Sequence, residues 1–334
     1  MSQSNWFYAV TAASIGLSQA LGAAPALGEP FRLSFPAQCK LGVECHIQNY
    51  VDIDPGAGTK DFRCGNATYN GHKGTDVRLL STRHAQANVA VLAAAPGVIT
   101  ATRDGMVDRL IGRGVAAPTG RECGNGVVID HGDGWVTQYC HLLKGSIGVR
   151  RGQRIARGAR LGSIGFSGKA QFAHLHLSVR QNGKPIDPFL GVAIGASCQR
   201  KPGAGLWMPG AVDAAGDSVL IDAGFADRAI GTQLAETGQV QRLKVSAASP
   251  ALVFYARYIN LHVGDRVRMS LRGPAGFRAD ADTAPLVRAK AQFIAYTGKK
   301  LKARRWPSGR YQAQVSLVRN GKLVDVKRYS MDLP

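Results

Sequence analysis

Ala173-His174-Leu175-His176-Leu177-Ser178-Val179 decides how the chain is read. Apolar and polar side chains alternate along it with the period of a half-buried strand, so His174 and His176 project from one face about 7 Å apart. Two imidazoles fixed on one sheet face begin a metal site, and a catalytic zinc needs a third protein ligand. Candidates lie far upstream, in Gly71-His72-Lys73-Gly74-Thr75-Asp76. This histidine and aspartate, flanked by glycines that let the backbone bend, offer one nitrogen and one oxygen of the type zinc accepts. Between the two segments, Gln138-Tyr139-Cys140-His141-Leu142 adds another histidine.

In this order the H-x3-D, the lone histidine in a Tyr-x-His-Leu setting and the H-x-H resemble the lysostaphin and LytM type of zinc endopeptidase, which cuts peptidoglycan cross-bridges. The resemblance covers roughly 31–190 and includes Arg151-Gly152-Gln153-Arg154-Ile155 and Leu161-Gly162-Ser163-Ile164-Gly165. It implies a compact antiparallel β-sheet peptidase domain in which His72, Asp76 and His176 bind one zinc ion per chain. His141 and His174 would stay off the metal and act on the substrate. The chemistry agrees, because three protein ligands leave a position for water, whose pKa the metal lowers to about 7. Imidazoles titrate near neutrality and suit the proton transfers.

The 334 residues suffice for two domains with full cores, and 45% apolar content suits a globular protein. With 41 glycines and few long apolar periodic runs, the chain reads as mainly β. A mildly apolar run over 6–27 ends near Ala24-Pro25-Ala26, as in a secretory signal, although no Lys or Arg precedes Arg32. Residues 1–26 are therefore expected to be a leader. It is too rich in Ser, Thr, Gln and Gly for a stable membrane span, and no later segment is long and apolar enough. The expectation is an exported protein, periplasmic or extracellular.

Six cysteines, Cys39, Cys45, Cys64, Cys123, Cys140 and Cys198, form an even set with none beyond Cys198. In an exported protein they suggest three disulfides. Strands at 127–131 and 135–140 around Gly132-Asp133-Gly134 would bring Cys123 opposite Cys140. Cys39 and Cys45 could then close a small loop, leaving Cys64 with Cys198. No C-x-x-C supports a cysteine zinc site. A Cys140-His141 nucleophilic pair fails because strand neighbours face opposite ways.

The formal charge of +20, from 42 basic and 22 acidic residues, implies an acidic partner or plain solubility. Export and the absence of nucleic-acid-binding signatures argue against nucleic acid, whereas an anionic envelope polymer accounts for the charge. Asp52-Ile53-Asp54-Pro55-Gly56-Ala57-Gly58 reads as a turn, since the closing glutamate and flanking helices of a calcium loop are missing.

The expected organisation is a peptidase domain over 31–198, opening on an irregular disulfide-stapled segment over 31–50, then a linker over 199–212 and a β domain over 213–334. In the last part Val267, Met269 and Leu271, and Tyr311, Ala313, Val315 and Leu317, alternate with polar residues. Asn182-Gly183 and Asn320-Gly321 mark hairpins. An immunoglobulin-like β-sandwich is expected there. Its run Lys299-Lys300-Leu301-Lys302-Ala303-Arg304-Arg305-Trp306 reads as a site for an anionic envelope polymer or as a solvated turn. His46, His84, His131 and His262 have no chemical company and read as surface or turn residues. The functional expectation is a zinc metalloendopeptidase acting on peptidoglycan or muropeptides. The alternative is a non-hydrolytic wall-binding or regulatory protein of the same fold that activates another hydrolase.

Overall fold

The computed structural model describes residues 30–334, except 113, 196, 199–204 and 213–217. The expected leader and residues 199–204 of the expected linker lie outside the described residues. Strands β1 (Cys45–Asn49), β2 (Thr75–Leu79), β3 (Ala90–Leu92), β4 (Gly97–Arg103), β5 (Asn125–Gly132), β6 (Trp135–Leu142), β7 (Arg154–Ile155), β8 (Arg160–Ser163), β9 (His174–Gln181), β10 (Lys184–Asp187) and β11 (Val192–Ala193) make up the first part. Its main sheet has the order β1-β2-β9-β6-β5-β4-β7, so the strand carrying the two histidines lies well inside the sheet.

Register then fixes the faces. Asp76 pairs with His176 and Arg78 with His174 across β2 and β9, while Cys140 of β6 also pairs with His176. Directly paired residues share a face, which places Asp76, Arg78, His174 and His176 together. The opposite face presents Val77, Leu79, Val127, Ile129, Tyr139, Leu175, Leu177 and Val179 to the buried core.

Asp133-Gly134, Asn182-Gly183 and Asn320-Gly321 each have positive φ at both residues, 49° with 75° in the first and 49° with 78° in the other two. That is the type I′ turn, whose twist matches the strands it joins. The disulfides pair Cys39 with Cys45, Cys64 with Cys198 and Cys123 with Cys140. Asp52 organises its loop as a turn, accepting from the backbone N–H groups of Asp54, Lys60 and Gly71.

Two expectations need correction. The 31–50 segment is not irregular throughout, because 45–49 forms β1 at the edge of the main sheet. His46 lies in that strand and is buried rather than exposed; burial, followed by the charge of Arg78, pushes its pKa down to about 4. His131 closes β5 and is pinned at both ring nitrogens, by the Pro96 carbonyl at 2.6 Å and Thr137 Oγ1 at 2.7 Å.

Strands β12 (Val219–Ala226), β13 (Ala251–Leu261), β14 (Asp265–Arg272), β15 (Arg278–Asp282), β16 (Lys290–Lys300), β17 (Gly309–Arg319) and β18 (Lys322–Leu333) build the C-terminal region. They form a three-stranded sheet, β12-β13-β16, and a four-stranded sheet, β15-β14-β17-β18, over one core. Strand β13 is buried along almost its whole length. Phe254, Ala256 and Tyr258 enter that core, while Val253 and Tyr255 pack with Ala235 of a short helix, α2 (Thr232–Glu236). The other short helix, α1 (Thr82–Ala85), follows β2. Gly238 approaches the first part so closely that a Cβ there would lie 2.6 Å from Ser81 Oγ. Among the described residues no helix is long and apolar enough to cross a membrane.

Candidate metal centre

Gly71, with φ +74°, takes a left-handed turn before His72, a conformation that glycine adopts without steric cost. Gly74 has a different role. A Cβ there would lie 2.4 Å from His176 Nε2, so only glycine lets the segment run beside β9. His72 Nε2 then stands 3.2 Å from Asp76 Oδ1 and 3.1 Å from His176 Nδ1, and His176 Nδ1 is 2.8 Å from the same oxygen. These three residues form a group whose offered ligand atoms all lie within 4.8 Å of one another.

Each is oriented from behind. His72 Nδ1 donates to the Tyr50 carbonyl at 2.7 Å, Asn49 Nδ2 donates to Asp76 Oδ2 at 2.8 Å, and His176 Nε2 meets Ser178 Oγ at 3.0 Å. A carbonyl only accepts, so neutral His72 carries its proton on Nδ1 and turns the lone pair of Nε2 toward a nitrogen and a carboxylate oxygen. Converging lone pairs repel unless a cation or proton lies among them, and two imidazoles with one carboxylate suit a borderline-soft divalent ion. The electrostatics agree. Burial opposes ionisation of Asp76, but His72, His174 and hydrogen bonds from His176 and His72 outweigh it and hold the carboxyl well below the usual range.

His174 and His141 are held alike. Nδ1 of His174 donates to the Phe172 carbonyl and Nδ1 of His141 to the Ser167 carbonyl, both at 2.8 Å. Each neutral ring therefore keeps Nε2 unprotonated, and His174 Nε2 lies 3.7 Å from Asp76 Oδ1. The two ring centroids are 4.5 Å apart. Burial, followed by the neighbouring His174 and His176, holds His141 well below the usual imidazole range; burial also lowers His174, with Asp76 opposing it.

Strict alternation would send His141 to the core face with Tyr139. Its φ of +64° breaks the alternation and redirects the ring, so that it packs 6.0 Å from His176. A non-glycine residue held in this region costs about 1–3 kcal/mol, and such strain collects at functional sites. Ser167, which holds the ring, is itself tied down by Oγ bonds to the Leu142 carbonyl and the Asn125 N–H.

All five side chains singled out from the sequence are thus brought together. Those that orient them, Asn49, Tyr50, Ser167, Phe172 and Ser178, were not singled out. Cys45-His46-Ile47-Gln48 does carry a strand alternation that would have placed Asn49 beside β2, whereas the carbonyl contacts have no signature in side-chain type. A cleft of about 1180 Å³ has Phe166 and Gln171, neighbours of the two orienting carbonyls, on its wall, together with Gln233, Glu236 and Gln292 of the C-terminal region.

Residues 70–188, which include all five side chains, match the model of peptidase family M23. This segment is an M23 peptidase domain. A stretch of 64 residues is 42% identical to peptidoglycan DD-endopeptidase ShyA of Vibrio cholerae, covering 19% of this chain and 14% of that protein. Another match, to cell division protein DipM of Caulobacter vibrioides, has 38% identity over 73 residues, 20% of this chain and 12% of DipM. The chain therefore spans only a small part of the length of the curated relatives it matches. Among solved structures, a zinc containing peptidase from Vibrio cholerae aligns at 20% identity with a TM-score of 0.30, covering 47% of this chain and 39% of that one.

Proposed function

We propose that this protein is an exported, zinc-dependent endopeptidase that hydrolyses the peptide cross-bridges of peptidoglycan. The observation that supports this most is the convergence, inside an M23 domain, of three ligand-type side chains with two imidazoles tethered through Nδ1. Held by His72, Asp76 and His176, one zinc ion per chain supplies a Lewis acid for the scissile carbonyl and lowers the pKa of a water to about 7. His141 and His174 stay off the metal and act through Nε2. One accepts the proton of the attacking water and returns it, as imidazolium, to the leaving amine. The other, its Nε2 likewise unprotonated, accepts a hydrogen bond from the attacking water and so orients it. The cleft walled by Phe166 and Gln171, next in sequence to Ser167 and Phe172, carries amide side chains that suit the peptide and sugar groups flanking the cut bond.

Three disulfides support export, since such bonds persist in oxidising compartments. We read 31–198 as the peptidase domain and 213–334 as an immunoglobulin-like accessory domain. A second reading, a non-hydrolytic regulator of another wall hydrolase, draws on the match to DipM, which is named as a cell division protein. The presence of all five site residues counts against it.

Digestion of purified peptidoglycan, with added zinc and with a chelator, tests the proposal by mass spectrometry of the released fragments. Zinc-dependent loss of cross-linked dimers is expected. No release from zinc-loaded, disulfide-intact protein would overturn hydrolysis in favour of the regulatory reading.

A further inference from the structure

Arg78 shares a face with Asp76, lies opposite His174 in the β2–β9 pairing and is fully buried. A buried guanidinium is unfavourable unless its charge and N–H groups are answered. Much of the answer comes from the C-terminal region. Arg78 Nη2 donates to both carboxylate oxygens of Glu236, at 3.1 and 2.9 Å, and Glu236 is the last residue of helix α2. Glu236 also receives Nη2 of Arg257 from β13, and Arg257 Nη1 donates to the Leu80 carbonyl at 2.7 Å. Gln48 Oε1 accepts from Arg78 Nη1, and the Leu79 carbonyl accepts from Nε at 3.2 Å. The guanidinium is thereby fixed in both plane and position.

Its face meets Phe172, whose ring centroid is 4.7 Å from Arg78 Cζ. Attraction between a cation and an aromatic face strengthens when both are desolvated. The same ring packs 4.4 Å from the imidazole of His174, and the Phe172 carbonyl accepts the His174 Nδ1 hydrogen bond. A continuous set of buried contacts therefore runs from the C-terminal region to a ring in the site. A neutral residue at 236 would take away the carboxylate that both buried guanidiniums share, and Arg78 would have to shift. Phe172, resting on Arg78, would shift with it.

We propose that Glu236 is a positioning residue of the hydrolytic site: it fixes Arg78, Arg78 fixes the Phe172 ring, and Phe172 sets the tilt and tautomer of His174. The inference rests on the hydrolytic role proposed for His174, and it makes the C-terminal region part of the active site rather than a passenger. A displacement of about 1 Å in a reacting group lowers a rate by about 10²-fold, which sets the expected effect.

The test uses the full-length, zinc-loaded protein and its Glu236→Gln, Phe172→Leu and Phe172→Tyr variants. Zinc content, kcat and KM on a cross-linked muropeptide, and the side-chain ¹H–¹⁵N signal of His174 Nδ1 are measured. Glu236→Gln and Phe172→Leu are expected to keep zinc and KM, lose about 10²-fold in kcat, and shift or broaden the His174 signal. Phe172→Tyr keeps the ring and is expected to keep kcat. Folded Glu236→Gln with wild-type kcat and an unchanged His174 signal would overturn the proposal. If Glu236→Gln does not fold, Phe172→Leu decides, because it leaves the ion cluster intact; wild-type kcat and signal there would equally overturn it. An inactive wild type would remove the hydrolytic reading alone. The His174 signal, which needs no turnover, would then decide positioning by itself.

Discussion

At the scale of the residue, the side chains of the centre separate into those that face one another and those that hold them in place. His176→Ala removes a converging nitrogen and should abolish stoichiometric zinc. His141→Ala and His174→Ala should retain zinc and lose about 10²-fold or more in turnover. Metal analysis beside a hydrolysis assay separates the two outcomes, and loss of zinc from either of the last two would reassign the ligands. Asn49→Ala should weaken zinc affinity by about 10- to 100-fold, the usual effect of losing a partner that orients a ligand. A different pH effect belongs to Asp187, a fully buried carboxyl whose Oδ1 takes the Phe189 and Leu190 N–H groups while Oδ2 has no partner. Burial, aided by Asp61 and opposed by those two N–H groups, pushes its pKa up to about 7. The folded state thus holds this proton more tightly than the unfolded one. Its contribution to stability is complete below about pH 4 and disappears as pH rises through about 7, a change of at most about 4 kcal/mol. Asp187→Asn should flatten that part of the stability–pH curve in chemical denaturation; an unaltered curve would refute the assignment.

At the scale of the element, alternation and turn chemistry explain most of what was legible. His174 to Val179, Val267 to Leu271 and Tyr311 to Leu317 form strands with the expected faces buried, and Asn182-Gly183 and Asn320-Gly321 form the expected hairpins. Helix α2 escaped notice because five residues carry too little periodicity to register. The basic run ending at Trp306 starts as the end of β16 and then bends away, anchored by that side chain, which is buried and donates from Nε1 to the Ser249 carbonyl at 2.8 Å. Lys299 lies over the Phe277 ring, 5.7 Å from its centroid. The disulfides differ in reach, with sequence separations of 134 for Cys64–Cys198 and 6 for Cys39–Cys45. Closing a longer loop restricts the unfolded chain more, so replacing the first pair by serine should cost about 5 kcal/mol and the second about 2 kcal/mol. Denaturant midpoints of the two double variants would show equal losses if loop length did not matter.

At the scale of the whole molecule, the described part of the expected linker belongs to the first core. Leu33 bridges Trp207, the Leu206 N–H donates to the Pro188 carbonyl, and Trp207 packs against Phe189 with ring centroids 5.6 Å apart. A chain ended at 198 loses both side chains from that core, whereas one ended at 212 keeps them. The shorter form should be less stable by about 3–5 kcal/mol, the range for removing a large buried side chain. Thermal unfolding of the two truncations checks this, and equal midpoints would show that 205–212 contributes nothing.

By itself the sequence determined the residue types of the centre, their order along the chain, the strand that carries two of them and the mainly β character. Those properties are local: a strand's period, a glycine turn and the ligand chemistry of His and Asp are written in neighbouring residues. Only the tertiary structure decided that His141 leaves the alternation of its strand, that Asn49 supports Asp76, and that Arg78, Glu236 and Arg257 meet in the interior. Each depends on pairing register or on packing between segments distant in sequence. A buried arginine is written with the same letter as an exposed one, and its meaning comes from the partners that folding brings to it.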